Sequence, residues 1–219
     1  LECEFTIILS LSKTKNLEMA NILNIKTSIS GEDSVSSKLS QAVIEHLLAK
    51  DNLSKVVVRD LANDIIPHME LAHFNAFNVR DEEKNEKERE VSRFSDQAIK
   101  EIQEADIIVI GVPFYNFGIP STLKSWIDHI SIAGKTFSYA DGTLKGLLEN
   151  KKVYLNFAIG GVYDNGIVEN MEKYLKTFFE FIGITDVEVF KTEGTVIPEL
   201  REASFLKAVE DIETAITQA

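Results

Sequence analysis

The chain has 219 residues, 44% of them hydrophobic and 26% charged, which suits one α/β domain able to bury a sizeable core. A net charge of -12 makes nucleic acid backbones and anionic membranes poor partners. A single cysteine, Cys3, excludes an internal disulfide or multi-cysteine metal site and fits a reducing cytoplasm; no apolar run reaches the roughly 20 residues of a membrane span. Phe5 to Leu11 is apolar but lacks a basic start and a small-residue cleavage site, so it does not read as a signal peptide. Residues 1–18 are expected to be an extension outside the fold, with an edge strand over Thr6 to Leu9 as the alternative. The domain is expected to span 19–219. Asn21 to Lys26 reads as the first strand. The hydroxyl-rich run from Thr27 to Ser37 follows, and Leu39 to Leu48 has apolar residues at helical spacing. A strand, a hydroxyl loop and a helix N-terminus make an anion site, or else a helix capped by Ser34 or Ser36. Neither a G-x-G-x-x-G nor a P-loop is present.

Lys55 to Asp60 reads as the second strand. Leu61 to Asn78 is a connector whose structure the sequence does not resolve. Its His68 and His73 have no acidic or cysteine cluster at ligand spacing, so they read as surface or packing histidines and no metal is expected. The charged run Asp81 to Glu90 suits the solvated first turn of a helix over Glu86 to Glu104. Ile107 to Val112 is a β-branched run without alternation, a strand buried on both faces. Phe114, Tyr115, Asn116 and Phe117 then occupy the loop, and a helix is expected from near Ile119 to Ala133 with Pro120 in its first turn. Gly134 to Gly142 is turn-rich. Lys151 to Phe157 is the fourth strand and ends in Ala158-Ile159-Gly160-Gly161, where glycines let a ligand approach the backbone. A helix over Glu169 to Ile182 closed by Gly183, a fifth strand over Val187 to Lys191 and a last helix over Arg201 to Ile216 complete the chain.

Five strands alternating with helices argue an α/β, doubly wound, five-stranded parallel sheet, with the flavodoxin-like order 2-1-3-4-5 as first choice. Ligands of such sheets bind beyond the carboxyl ends of the strands, at the switch between strands one and three. The hydroxyl loop, the Phe-Tyr-Asn-Phe loop and the Gly-Gly loop all fall there.

Pro113-Phe-Tyr-Asn-Phe117, Ile119-x-Ser/Thr-x-Leu-Lys124, Ala133-Gly-x-Thr-Phe-x-Tyr139 and Phe181-Ile-Gly-Ile-Thr-Asp186 carry a resemblance. From Met19 onward the chain resembles the FMN-dependent NADH-azoreductases, also called FMN-dependent NADH:quinone oxidoreductases. The resemblance implies a flavodoxin-like homodimer with one FMN per subunit. Its FMN-binding segments fall on Ser28, on Ser34-Val35-Ser36, on Phe114-Tyr115-Asn116-Phe117 and on Ala158-Ile159-Gly160-Gly161. The last departs from the commoner Ser-Arg-Gly-Gly by losing a hydroxyl and a charge.

On that basis Ser28, Ser34 and Ser36 would bind the phosphate without a lysine. Phe114, Tyr115 and Phe117 would wall the isoalloxazine, and Asn116 would meet its polar edge. The Gly160 and Gly161 amides would face the pyrimidine oxygen. NADH (or NADPH) would reduce the flavin, and a quinone or azo acceptor would reoxidise it on the same face, in ping-pong order, with no side chain as nucleophile or base. Tyr139 and Phe181 would cover the substrate, core packing being the alternative for Phe181. The competing function is a flavodoxin-type electron carrier acting on protein partners.

Overall fold

The structure is a computed structural model; it describes residues 19–64, 66–164 and 166–218, so the proposed extension and its possible strand lie outside the described residues. In chain order the elements are β1 (Asn21–Lys26), α1 (Val35–Lys50), β2 (Lys55–Asp60), α2 (Leu71–Phe77), α3 (Glu86–Glu104), β3 (Ile107–Pro113), α4 (Ser121–Ile130), β4 (Phe137–Ser138), β5 (Lys145–Gly146), β6 (Lys152–Ala158), α5 (Ile167–Phe181), β7 (Asp186–Thr192) and α6 (Pro198–Gln218). The sheet runs β2-β1-β3-β6-β7, parallel throughout. With the two-residue strands β4 and β5 set aside as a separate antiparallel pair, this is the expected 2-1-3-4-5 order.

Even the buried strands keep a period of two. On β3, Ile108, Ile110 and Val112 face the core formed with Leu23, Ile25, Trp126, Leu175 and Phe179, beneath α3, α4 and α5. Val109 faces the other core, with Ile22, Tyr154, Phe190, Leu39 and Val43, beneath α1 and α6. Trp126 is fully buried, as a core residue should be. Gly111 is where α1 meets β3: a Cβ there would lie 3.1 Å from the Ser36 backbone and from Ser40 Oγ. Its absence lets the first turn of α1 rest on the strand.

α3 has the expected bounds, set by a capping box in which Asn85 and Glu88 satisfy each other's backbone N–H. α4 begins later and ends earlier than expected. Pro120 is its N-cap, not part of its first turn, and the Ile130 carbonyl accepts from the Thr136 hydroxyl at 2.5 Å as the chain turns away. The unresolved connector contains α2. His73 sits inside that helix's first turn, its Nδ1 accepting from the Glu70 N–H, and His68 shares a bond with the Ser125 hydroxyl.

Candidate functional site

The loops that leave β1, β3, β6 and β7 meet at the carboxyl end of the sheet. After β1, the Thr27 hydroxyl donates to the Gly111 carbonyl at 2.6 Å, tying the loop to β3. Ser28 is buried; its hydroxyl accepts from the Ser30 N–H and shares a 3.3 Å bond with the Tyr115 hydroxyl. Ser34 is the N-cap of α1, accepting from the Ser37 N–H at 3.1 Å, and it also bonds Ser36 at 3.2 Å. The capping reading of Ser34 therefore holds. It leaves the Val35 and Ser36 N–H groups, at the positive end of a 16-residue helix, without partners among the described residues. Those two amides suit an anion.

After β3, residues 115–118 close on themselves: Tyr115 and Gly118 exchange both backbone bonds at 3.0 Å. Asn116 (φ 47°) and Phe117 (φ 67°) are both left-handed. Asn tolerates that region, whereas Phe is held there at a cost of about 1–2 kcal/mol. The turn projects Asn116 and Phe117 into solvent while Phe114 leans on the core, with its ring 6.0 Å from that of Phe117. Tyr115 turns the other way. Its hydroxyl accepts from the Ile29 N–H at 3.2 Å and meets Ser28, so it braces the hydroxyl loop. The third ring beside Phe114 and Phe117 is Tyr163, with centroids 5.3 and 6.2 Å away.

After β6, Ala158 ends the strand and Ile159 is fully buried. The Gly160–Gly161 segment is held by the loop after β7. The Ile159, Gly160 and Gly161 carbonyls accept from the Thr195, Val196 and Gly194 N–H groups at 3.1, 3.2 and 2.8 Å. With its carbonyls turned toward that loop, the segment leaves the Gly160 and Gly161 N–H groups unpartnered among the described residues. Unpaired amides clustered in this way can stabilise negative charge on a bound ligand.

Tyr163 and the 193–197 loop were missed by sequence reasoning. Gly194, left-handed at φ 69° directly after β7, was the available signal for the loop. For Tyr163, a lone aromatic two residues past the paired glycines, the signal was weak.

Tyr139 and Phe181 lie elsewhere. α5 runs back along the sheet, so Phe181 reaches the amino end, where its ring lies 4.6 Å from Phe137, itself 5.6 Å from Tyr139. There the Leu148 N–H donates to the Ile182 carbonyl, just before β6 begins. The length of β6, seven residues, or about 20 Å, separates these rings from the Gly160–Gly161 amides of the same subunit. The segment through 134–150 therefore does not roof the crevice of its own subunit. A cavity of about 320 Å³ bounded by Lys176, Glu180, Ile184, Thr185 and Val187 also lies toward that amino end, remote from the loops.

Comparison with known proteins places this arrangement. A model of the flavodoxin-like fold matches residues 20–216. An FMN-dependent NADH:quinone oxidoreductase of Alcanivorax borkumensis is 46% identical over 174 residues, covering 80% of this chain and 88% of its own. The chain belongs to the FMN-dependent NADH:quinone oxidoreductase family. Another member, from Cellvibrio japonicus, is 38% identical over 198 residues, covering 90% of this chain and 99% of the relative. Among solved structures, an azoreductase from Bacillus anthracis superposes with a TM-score of 0.82 at 28% identity over 92% of this chain and all of its own. An FMN-dependent NADH-azoreductase from the same species, solved in complex with FMN, gives 0.79 at 27% identity, covering 91% and 99%. Within the family fold, the candidate site of this chain offers mainly backbone N–H groups, with Ala158 and the buried Ile159 contributing no polar side chain beside them.

Proposed function

We propose that the protein is an FMN-dependent oxidoreductase that passes two electrons from NADH to quinones and azo compounds. The observation that carries this reading is the convergence of unpaired N–H groups from α1 and from the Gly160–Gly161 segment, with the exposed Asn116 amide, around an aromatic cluster. The Val35 and Ser36 amides, with the Ser28 hydroxyl, match a terminal phosphate. Phe114, Phe117 and Tyr163 match the faces and edge of a tricyclic ring, and the Asn116 amide with the Gly160 and Gly161 N–H groups match its polar rim. When bound, FMN supplies two-electron chemistry, taking hydride from the nicotinamide and reducing the acceptor. The chain's own residues orient the ring, bury one face against the protein and set donors where negative charge accumulates. Donor and acceptor share the remaining face in turn, so initial-rate plots at several acceptor concentrations are expected to be parallel.

The placement of Tyr139 and Phe181 supports a homodimer. At the far end of their own subunit, they can cover a substrate only in the crevice of a second copy, and a two-fold pair places each end against the other. Tyr139 is 63% exposed in the single subunit, as such a contact requires. Residues 1–18 are proposed to be dispensable. Action in the cytoplasm is part of this proposal. No described helix is long and apolar enough to cross a membrane.

The test is direct. Purified protein should be yellow, release FMN by mass, and oxidise NADH steadily with menadione as sole acceptor. FAD as the released flavin overturns the cofactor assignment. Bound FMN with no steady NADH oxidation returns the electron-carrier reading.

A further inference from the structure

A polar link interrupts the apolar core beneath α1. Asn156 is fully buried in β6, where it stands in register with Gly111 of β3 and Phe190 of β7. Tyr154, two residues earlier on the same strand, belongs to the core under α1 and α6 with Leu39, Val43, Val109 and Phe190. Asn156 instead spends its amide on hydrogen bonds. Its Nδ2 donates to the Ser40 Oγ at 3.2 Å and to the Ile110 carbonyl at 3.4 Å. Its Oδ1 has no partner among the described residues. A buried acceptor left unpaired costs stability, and a valine would suit a central strand without that cost.

The link reaches the underside of the anion seat. Ser40 lies one turn after Ser36 on the same face of α1, and both are buried. The Ser36 hydroxyl bonds that of Ser34, the N-cap, and the Val35 and Ser36 N–H groups are the ones left open for an anion. Gly111 touches the same two serines, since a Cβ on it would lie 3.1 Å from the Ser36 carbonyl group and from Ser40 Oγ. The Thr27 hydroxyl donates to the Gly111 carbonyl. Both halves of the seat are therefore fastened at the level of Gly111, the β1 loop by Thr27 and the helix by Asn156 through Ser40. Thr27, Ser36, Ser40 and Asn156 are each no more than 1% exposed, so these joints lie inside one subunit, out of reach of a second copy.

We infer that Asn156 is a positioning residue for the phosphate of FMN. Through Ser40 it sets the height of α1 over β3 and so holds the Val35 and Ser36 N–H groups where a phosphate meets both. The inference rests on the function proposed above and adds a residue that does not itself line the site. Apolar packing is non-directional and its single contacts are weak, so by itself it lets a helix rock on a sheet. A hydrogen bond fixes distance and direction, and the two amides need both, because their own bonds weaken steeply with angle. The flavin ring would be held by other loops, at 114–117 and 160–161.

The experiment compares FMN with riboflavin, the same ring and ribityl chain without the phosphate, by quenching of flavin fluorescence on titration with the flavin-free protein. The unaltered protein should prefer FMN. Asn156→Val and Ser40→Ala should each lower FMN affinity about tenfold, the order of one hydrogen bond, and riboflavin affinity less than about twofold. The double variant should lose little more than either single one, because both cut the same link. Ser40→Ala, which deletes one hydroxyl, carries the test alone should the valine variant not fold. An unchanged ratio of FMN to riboflavin affinity, equal losses for the two flavins, or additive losses in the double variant overturn the inference and leave the proposed function standing. An unaltered protein that binds riboflavin as tightly as FMN, or binds neither, has no phosphate seat at α1, and that result overturns the reading beneath the inference together with it.

Discussion

Asn116 shows how a single side chain serves both backbone and ligand. Its φ of 47° suits Asn better than any β-branched or bulky residue, and its amide stands exposed at the tip of the turn, free to pair with a ring edge. Replacing it with leucine would confound the two roles, because leucine is strained at that φ. Asn116→Gly keeps the conformation and removes only the amide. FMN affinity is expected to fall about tenfold to a hundredfold, the equivalent of about 1–3 kcal/mol for a polar ring edge left unpaired. The urea midpoint of the flavin-free protein should barely move. A larger loss of flavin-free stability than of flavin affinity would make Asn116 a structural residue. The neighbouring Phe117 could not be placed so well from sequence: a left-handed phenylalanine runs against local preference, and such conflicts occur where function holds the backbone.

Strands and most helices were legible because their signals are local: the β-branched run at Ile107 to Val112, the capping box at Asn85 and the left-handed Gly183 that ends α5. What was not legible depends on where a segment goes. Nothing in the order Gly134 to Gly146 says that it packs beneath the sheet, yet a Cβ on Gly146 would lie 2.1 Å from the Gly183 nitrogen. Backbone against backbone cannot yield, so Gly146→Ala is expected to cost about 3 kcal/mol or more, read as a lower urea midpoint at unchanged m. Gly160→Ala is the control, since its Cβ would meet only Val196 at an ordinary 3.5 Å, and it should cost under about 1 kcal/mol. A second hidden joint is His129, fully buried on α4, whose Nε2 donates to the Pro67 carbonyl at 2.9 Å while Nδ1 accepts from the Ser95 hydroxyl at 2.7 Å. Burial holds its pKa below the ordinary 6.5, with the neighbouring His73 adding to the effect against the Pro67 bond and Asp128. The unfolded chain therefore takes up the proton first. Stability from this site is complete above about pH 6.5 and is lost as pH falls from there through the folded value. Carboxylates contribute lower down: Asp81, bonded by Lys84 and Lys135, and Glu172, where Lys176 and Lys191 outweigh burial, are both held below their ordinary range. As pH falls from 6.5, above the range where carboxylates titrate, the loss should trace to His129, and His129→Gln should be less stable at pH 8 but flatter on the acid side of 6.5.

The subunit has its candidate site at one end of the sheet and, at the other, an aromatic cluster of exposed Tyr139 with half-buried Phe137 and Phe181. The proposed two-fold dimer would turn that separation into a complete site, the crevice of one copy covered by the rings of its partner. Two consequences follow for the intact molecule. A chain beginning at Met19 should melt within a few degrees of the full one and keep its flavin, since β1 already pairs with β2 on one side and β3 on the other. Light scattering should give twice the chain mass of 24.6 kDa, about 49 kDa, with specific activity falling as dilution separates the copies. The decisive measurement mixes two disabled proteins, Asn116→Gly with its crevice impaired and Tyr139→Ala/Phe181→Ala with its cover removed. If the cover comes from the partner, a mixed dimer contains one site with an intact crevice and intact rings, and activity rises above that of either parent on exchange of subunits. If each subunit covers itself, no mixed dimer contains a whole site, and activity stays at the average of the parents however long the exchange proceeds.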